Sequence, residues 1–433
     1  MTTPLLTGPE PDLLAPSSPR LFDESFRPVL LDISRPADAA ALAELRESDR
    51  LREVHDRIDD QVEELLRCLA PQDPFGSRSR SRALADTLGP RPDAYGRWAW
   101  YPWSGRLVHV LPEAEFRLVR TDRNRDKITR EQQRSLLRRR IGVIGLSVGS
   151  SAALTCAMEG VGGAFRLADF DRLGLSNLNR LRAGVHELGL EKSVLCARRM
   201  YELDPYLDIE IHRGGVNEEN IEEFFGGRNS GQDGGQDGGQ DGGRDGGQDG
   251  GRDGGQDGGR DGGQGKGEED GSQDRGLDLL IEECDTPWVK VAAREHARSR
   301  GVPVLMDTND RGLLDIERFD LEPDRPLFHG RTGTTTAADV EVMDQEETIR
   351  FLLAVVDEQR LSPAMTDALT RVGRTLSSWP QLASGVMLGA ALVTDTARRV
   401  LLGEPLGSGR HSIDFEALVP TGTPLPAPQG AVL

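Results

Sequence analysis

The segment that most constrains the fold runs from residue 141 to residue 169. A short apolar strand at 141–144 leads into a loop of small residues at 145–150, a helix at 151–159 and a second apolar strand at 164–169. This order of strand, glycine-containing loop, helix and strand opens the nucleotide-binding α/β sheets. Further strand and helix patterns follow it along the chain. We therefore predict an α/β fold with a Rossmann-like nucleotide-binding sheet and helices on both of its faces.

The loop itself indicates a phosphate-binding turn without proving one. Backbone N–H groups and the positive end of the following helix favour an anion at such a loop. Ser147 and Ser150 stand where a dinucleotide-binding fingerprint has glycines, but serine is small enough for close approach of the backbone. We expect Gly145, Ser147 and Gly149 to contact the nucleotide. A purely structural strand–helix turn remains the alternative.

Charged residues follow the predicted strands at the positions where α/β sheets bind ligands. Asp169 ends the second strand, where a carboxylate can accept hydrogen bonds from ribose hydroxyls. Arg180 and Lys192 follow, and cations there would neutralise charge that builds on a nucleotide's phosphates. Asp285 follows the apolar strand 277–281 by four residues, and a carboxylate near that strand end suits magnesium.

Together these segments resemble the ThiF-type adenylyltransferases, the superfamily that contains ubiquitin-activating and sulfur-carrier-activating enzymes. The resemblance covers about residues 122–310, and its most specific part is Asp169-Phe170-Asp171 followed by the sequence Ser-Asn-Leu-Asn-Arg at 176–180. It implies that Asp169 holds the ribose of ATP and that Asn177, Arg180 and Lys192 contact its phosphates.

The same resemblance implies a metal, a partner and a reaction. Asp285 would hold Mg²⁺, and Arg125 would reach the site of the second protomer in a homodimer. The chain would activate a carboxylate as its acyl-adenylate, with the C-terminus of a ubiquitin-like or sulfur-carrier protein as the expected substrate. A small carboxylate is the alternative, as in the related enzyme that cyclises threonylcarbamoyladenosine in tRNA.

Departures from the family pattern narrow the expected activity. No cysteine follows Cys284 and no CxxC pair is present, so we expect adenylation without thioester transfer. Some chains of this kind continue into a nitroreductase-like flavin domain, for which the residues after Ser412 leave no room, so a flavin protein enters only as a possible partner. A catalytically weak nucleotide-binding scaffold and a nicotinamide-dependent oxidoreductase are the competing hypotheses.

The remaining sequence divides around this core. We expect a flexible arm at 1–35, an α+β accessory region at 36–120 with a helix over 36–69 and a tryptophan-rich hairpin near 98–110, the nucleotide-binding domain with C-terminal helices at 121–412, and a tail at 413–433. Repeats of Gly-Gly-Gln-Asp and Gly-Gly-Arg-Asp lie within an insert at 227–276. No residue of these repeats is apolar, so the insert is expected to be disordered.

Composition excludes several classes of protein. The formal net charge of −19 disfavours general binding to nucleic-acid phosphates. The longest apolar run, at 382–393, is well short of the ~20 residues that span a bilayer. The 4 cysteines are scattered, and the N-terminus lacks the basic and apolar segments of a secretory signal. We therefore expect a cytoplasmic protein.

Overall fold

The computed structural model describes residues 24–72, 77–226, 276–419 and 422. The Gly/Asp-rich repeats and most of the expected N-terminal arm and C-terminal tail lie outside the described residues. Within the described part of the chain, no helix has the length and apolar character needed to cross a membrane. The residues that flank the Gly/Asp-rich segment meet each other, because the Leu277 backbone N–H donates to the Phe225 carbonyl at 3.1 Å.

The described strands form two sheets. They are β1 Val29–Leu31, β2 Glu53–Asp56, β3 Arg97–Tyr101, β4 Arg106–Val110, β5 Arg140–Ile144, β6 Ala164–Ala168, β7 Asp208–His212, β8 Leu279–Glu282, β9 Val304–Thr308, β10 Leu313–Glu317 and β11 Gly409–Ser412.

The described helices flank these sheets and fill the C-terminal region. They are α1 Pro36–Glu47, α2 Ile58–Leu69, α3 Ser77–Leu88, α4 Glu113–Arg120, α5 Arg130–Leu136, α6 Gly149–Glu159, α7 Lys192–Leu203, α8 Ile221–Phe225, α9 Pro287–Arg300, α10 Ala337–Glu341, α11 Gln345–Val356, α12 Pro363–Leu369, α13 Ala383–Leu401 and α14 Phe415–Leu418.

The seven-stranded sheet confirms the predicted fold class. Its strand order is β11-β10-β9-β8-β5-β6-β7, and β7, β6, β5, β8 and β9 run parallel. The strand order therefore reverses between β5 and β8. In open α/β sheets a ligand crevice forms at such a reversal, outside the carboxyl ends of the strands. The Gly/Asp-rich segment lies between α8 and β8, so the chain leaves and re-enters this same sheet.

The N-terminal region is an α+β unit built on a second sheet of order β1-β3-β4-β2. The expected tryptophan hairpin is present as β3 and β4, and Trp98 and Trp100 pack in its core with Leu31 and Leu107. These two tryptophans are therefore core residues of the N-terminal unit. His109 stacks on Trp98 at 4.3 Å between ring centroids.

Two expectations for this region are wrong. The helix predicted over 36–69 is divided, because β2 pairs in parallel with β4 and places Val54 opposite Leu107. The arm predicted over 1–35 includes β1, which pairs with β3 and buries Leu31. In both places pairing with a distant strand decides the local structure, which helical periodicity cannot report.

The C-terminal region extends the central sheet and covers one of its faces. β10 pairs antiparallel with β9, and β11 pairs antiparallel with β10. Neither strand was predicted. The long helix α13 packs against α6 and β9, and its Ala390, Val393 and Ala397 belong to the main apolar core.

Candidate functional site

The glycine loop after β5 and the segment after β8 are held together at the point where the strand order reverses. Gly145 has φ +85°, and its N–H donates to the Ala168 carbonyl at 2.9 Å. A Cβ at this position would lie 2.6 Å from the Cys284 backbone N, so only glycine lets the two segments approach this closely. The loop of Gly145, Ser147 and Gly149 thus lies at the carboxyl end of β5, where the strand order reverses, and Ser147 lines the cavity there.

Asp169 holds the glycine loop in place through hydrogen bonds to backbone N–H groups. Its Oδ2 accepts the Leu146 N–H at 2.6 Å and its Oδ1 accepts the Asp171 N–H at 2.7 Å. Burial raises the pKa of this carboxyl, while Lys192 and the two backbone N–H groups oppose the shift. The structure places Asp169 at the end of β6, as predicted, and adds a structural task to it.

Lys192 lies at the start of α7 with a buried ammonium group. Its Nζ donates to Asp171 Oδ2 at 2.7 Å, and its backbone N–H donates to the Asp171 carbonyl at 3.0 Å. Lys192 is also the first charge that lowers the pKa of Asp169. The lysine therefore stands beside both carboxylates that follow β6.

Arg180 joins the Ser-Asn-Leu-Asn-Arg segment to the glycine loop. Its Nη2 and Nε donate to Ser147 Oγ at 2.9 and 3.2 Å, and its Nη1 donates to Asn179 Oδ1 at 2.9 Å. Burial lowers the pKa of the guanidinium, and the carboxylate of Asp285 opposes this shift. The serine that departs from the family's glycine pattern is thus a hydrogen-bond acceptor for the arginine.

Two predicted site residues have other partners in this chain. Asn177 Oδ1 accepts the Gly174 N–H at 2.9 Å and caps the 3-10 turn Leu175–Asn177. Arg125 pairs with Asp122 at 3.0 Å and lines a separate groove beside α5. The structure therefore does not bring Arg125 to Arg180 and Asp285 within one protomer.

Asp285 is the exposed carboxylate at the end of β8. Among the described residues, no group of three or more His, Cys, Asp or Glu side chains could hold a metal ion by itself. Mg²⁺ usually keeps several waters and binds one or two carboxylates together with phosphate oxygens. A single exposed carboxylate beside the glycine loop, where the sequence predicts the phosphates of a nucleotide, fits that pattern.

Sequence reasoning missed a cluster of polar groups beyond Asp285. A cavity of about 210 Å³ is lined on its polar side by Ser147, Glu283, Asp285, Asp307 and Asn309. Burial raises the pKa of Asp307 to about 7, and burial together with the neighbouring Asp307 raises the pKa of Glu283 well above its usual range. Asp307 ends β9 as Asp285 follows β8, so the strand-end rule that found one could have found the other.

A buried ion network lies under this cavity. Glu282 bonds Lys290 Nζ at 3.2 Å and Arg294 Nη1 at 2.6 Å, and Arg294 Nε also bonds Glu317 at 2.5 Å. Burial alone would raise the pKa of Glu282, but Lys290 and Arg294 lower it to about 2. These charges join β8, α9 and β10 into one rigid floor.

The fold and the glycine loop define a Rossmann-like α/β protein with a glycine-containing strand–helix loop at its topological switch point. Residues 121–230, which include β5, β6 and the Arg180 and Lys192 segments, match the model of the ThiF family. The resemblance inferred from the sequence is thereby confirmed.

Several known proteins are similar to this chain. The uncharacterized protein MT1398 of Mycobacterium tuberculosis (strain CDC 1551 / Oshkosh) is 39% identical over 380 residues, which cover 88% of this chain and 44% of that protein. The chain thus spans less than half the length of this curated relative.

Solved structures with a related arrangement are more distant. Escherichia coli tRNA N6-threonylcarbamoyladenosine dehydratase, TcdA, aligns with a TM-score of 0.39 and 14% identity, over 65% of this chain and 94% of its own. Escherichia coli MccB aligns with a TM-score of 0.40 and 10% identity, over 82% and 85%. PaaA aligns with a TM-score of 0.40 and 15% identity, over 89% and 96%.

Proposed function

We propose that this chain is an ATP-dependent adenylyltransferase that activates a carboxylate as its acyl-adenylate. The observation that carries the proposal is the placement of Arg180, which is hydrogen-bonded to Ser147 of the glycine loop and faces Asp285 across the switch point. A cation and a metal-binding acid on opposite sides of a phosphate-binding loop suit displacement at phosphorus, which needs positioning and charge stabilisation more than a covalent catalyst.

Each residue has a defined task in this proposal. The backbone N–H groups of the glycine loop and the N-terminus of α6 bind the phosphates of ATP. Asp169 binds the ribose, and Lys192 and Arg180 neutralise the triphosphate. Asp285 holds Mg²⁺, which when bound neutralises phosphate charge.

The reaction is a displacement at the α-phosphorus of ATP. A carboxylate oxygen of the substrate forms the new bond to the α-phosphorus as the bond to the bridging oxygen of pyrophosphate breaks. The electron pair leaves with pyrophosphate, and no redox partner is needed. The free thiols of Cys156 and Cys196 are buried, and burial raises the pKa of each to about 12, which fits adenylation without thioester transfer.

The substrate class that the family supplies is the C-terminus of a small carrier protein, and a small carboxylate is the second candidate. The size of the cavity beside Asp285, about 210 Å³, favours the small carboxylate. We further propose that Arg125 acts across a homodimer, since in one protomer it lies in a different groove.

The decisive measurement is ATP–pyrophosphate exchange with Mg²⁺ and a panel of carboxylates. Arg180→Ala and Asp285→Asn are expected to lower the exchange rate at least about 100-fold, the usual loss when a transition-state charge partner is removed. The matched control is Arg182→Ala, because Arg182 is an exposed arginine of the same segment that donates to Met387 Sδ rather than to the glycine loop. Equal exchange by Arg180→Ala and Arg182→Ala would contradict the proposed role of Arg180.

A binding measurement separates a weak scaffold from an enzyme. Tight ATP binding that Asp169→Ala abolishes, with no exchange for any carboxylate, would support the scaffold hypothesis. Binding of NADH without binding of ATP would support the nicotinamide-dependent alternative.

A further inference from the structure

The cavity beside Asp285 has two chemically different walls. One wall carries the acids and amide that follow β8 and β9, namely Glu283, Asp285, Asp307 and Asn309. The other wall is apolar and comes from α11, α12 and the segment before α13, with Ile349, Leu352, Leu353, Val356, Leu361, Met365, Leu369 and Trp379. A pocket of this kind fits a ligand with a polar end and an apolar body.

The polar wall is not satisfied by the protein. Asp307 is 5% exposed, and among the described residues no fixed N–H or O–H group donates to its carboxylate. The side-chain partner that it has there is the neighbouring carboxyl of Glu283, which is itself an acid. The buried amide oxygen and nitrogen of Asn309 lack partners within the same part of the chain. Buried polar groups are almost always hydrogen-bonded to complementary partners, so a carboxylate at a cavity wall whose side-chain partner is a second acid indicates a donor that comes from outside the chain.

Neighbouring residues fix the position of the Asp307 side chain. Its backbone N–H donates to Glu283 Oε1 at 2.9 Å, which holds the two acids side by side. Gly389 of α13 leaves room for the Asp307 side chain, because a Cβ at that position would overlap the carboxylate. In contrast, Asp310 at the same cavity is fully used, since Ser362 donates to its two oxygens at 2.6 and 2.7 Å.

The positive charges near this wall are already engaged. Lys290 lines the cavity, but its Nζ donates to both oxygens of Glu282 at 3.2 Å. Arg180 is held at the mouth by Ser147. Half-buried Glu283 and buried Asp307 therefore form an acidic pair to which neither cation donates a hydrogen bond, and a ligand that brings its own cation would complete it.

We propose that the substrate of this site is a small amino acid with an apolar side chain, whose ammonium group binds Asp307 and Glu283. The proposal rests on the proposed adenylation, because the same molecule must present its carboxylate at Ser147 and Asp285. An ammonium group offers three donors to the acidic pair, and the apolar wall receives the side chain. Drug-sized ligands need about 300–1,000 Å³, so a cavity of about 210 Å³ fits a smaller molecule of this kind.

Binding of carboxylate-free probes tests the ammonium site separately from catalysis. Isothermal titration of the full chain with 3-methylbutylamine is expected to give binding at least about tenfold tighter than with the neutral isostere 3-methylbutanol. Asp307→Asn and Glu283→Gln are expected to weaken the amine at least about tenfold and to leave the alcohol unchanged. The control Asp310→Asn is expected to keep the Kd of the amine within about threefold.

Three results of this titration would overturn the proposal. They are no binding of the amine, equal binding of the amine and the alcohol, and equal amine affinity for the wild type and Asp307→Asn. Circular dichroism of each variant reports whether it is folded. Glu283→Gln provides a second, independent removal of charge should Asp307→Asn fail to fold.

Exchange assays then separate this inference from the proposed function. Leucine, methionine and phenylalanine are expected to support ATP–pyrophosphate exchange, whereas N-acetyl-leucine and a peptide that ends in leucine are not. Exchange with the acetylated or peptide substrate alone would leave adenylation standing and refute the amino-acid substrate. Absence of exchange with every carboxylate would count against the proposed function, while the amine titration would still decide whether the acidic pair is a cation site.

Discussion

Replacing Asp307 with asparagine is expected to stabilise the protein, and to do so more strongly as the pH rises. Asp307 is buried near the end of β9, and among the described residues no fixed N–H or O–H group donates to its carboxylate. Burial raises its pKa from the ordinary 3.8 to about 7. Without a ligand the folded protein therefore holds a carboxyl group that resists ionisation, while the unfolded chain ionises it freely.

The size of the effect follows from linkage between protonation and folding. Between about pH 4 and 7 the native state binds a proton that the unfolded state has released, so stability falls as the pH rises. One pKa unit corresponds to about 1.4 kcal/mol, which sets an upper limit of about 4 kcal/mol above pH 7. Asparagine removes the charge but keeps a buried polar amide, so we expect a net gain of about 1–3 kcal/mol at pH 8.

The assay is urea unfolding of the wild type and Asp307→Asn, followed by far-ultraviolet circular dichroism at pH 6 and pH 8. The gain is expected to be about 1 kcal/mol smaller at pH 6, where the native carboxyl of the wild type is already largely protonated. Burial also lowers the pKa of His212 and His296, but both are present in the two proteins and cancel in the difference. Glu283 contributes in the same direction as Asp307, because the charge of Asp307 raises its pKa and the asparagine removes that charge.

A matched control distinguishes the loss of an unpaired charge from a general effect of substitution. Asp310→Asn removes a carboxylate at the same cavity that accepts two hydrogen bonds from Ser362, so it should destabilise the protein at both pH values. The reasoning is refuted if Asp307→Asn is less stable than the wild type at pH 8, or if its gain is the same at pH 6 and pH 8.

Two further predictions concern the scaffold around the site. Arg294→Ala should lower the free energy of unfolding by about 3–5 kcal/mol, because it leaves Glu282 and Glu317 buried without their shared cation. The control Arg371→Ala breaks an exposed ion pair and should lower it by about 0.5 kcal/mol or less. Urea unfolding measures both variants, and equal losses of stability would contradict the structural role of Arg294. Deleting residues 234–263 should leave the Tm within about 3 °C of the wild-type value by differential scanning calorimetry. The reason is that the residues flanking that segment are already joined by a backbone hydrogen bond. A large drop in Tm would show that the segment supports the fold.

The central sheet could be predicted because its strands are buried on both faces. β5 and β6 are short apolar runs that end at a glycine and an aspartate, and both were placed within one or two residues. Parallel strands that helices cover on both faces are continuous apolar runs, whatever their position in the sheet. Asp169 and Asp285 could be found because they follow the carboxyl ends of β6 and β8, where open α/β sheets bind their ligands.

Elsewhere the decisive partner was distant in sequence. Leu51 and Val54 fit a helical spacing with the residues of α2, yet Val54 lies in a strand because β4 pairs with it some fifty residues later. β10 was not predicted from the sequence for a different reason. Its Asp315 and Glu317 read as surface charges, but both are buried beside Arg410 and Arg294.

Glu282 and Glu283 show why the proposed substrate-binding part of the site could not be predicted from sequence alone. They are adjacent acids at the end of one strand, and alternation of side chains along a strand sends them to opposite faces of the sheet. Glu282 meets Lys290 and Arg294, which neutralise it within the fold. Glu283 meets Asp307, which adds a second acid at a cavity wall instead of a cation. Since the fold supplies two cations to the first carboxylate and a like charge to the second, the first is best explained by structure and the second by a ligand that carries positive charge.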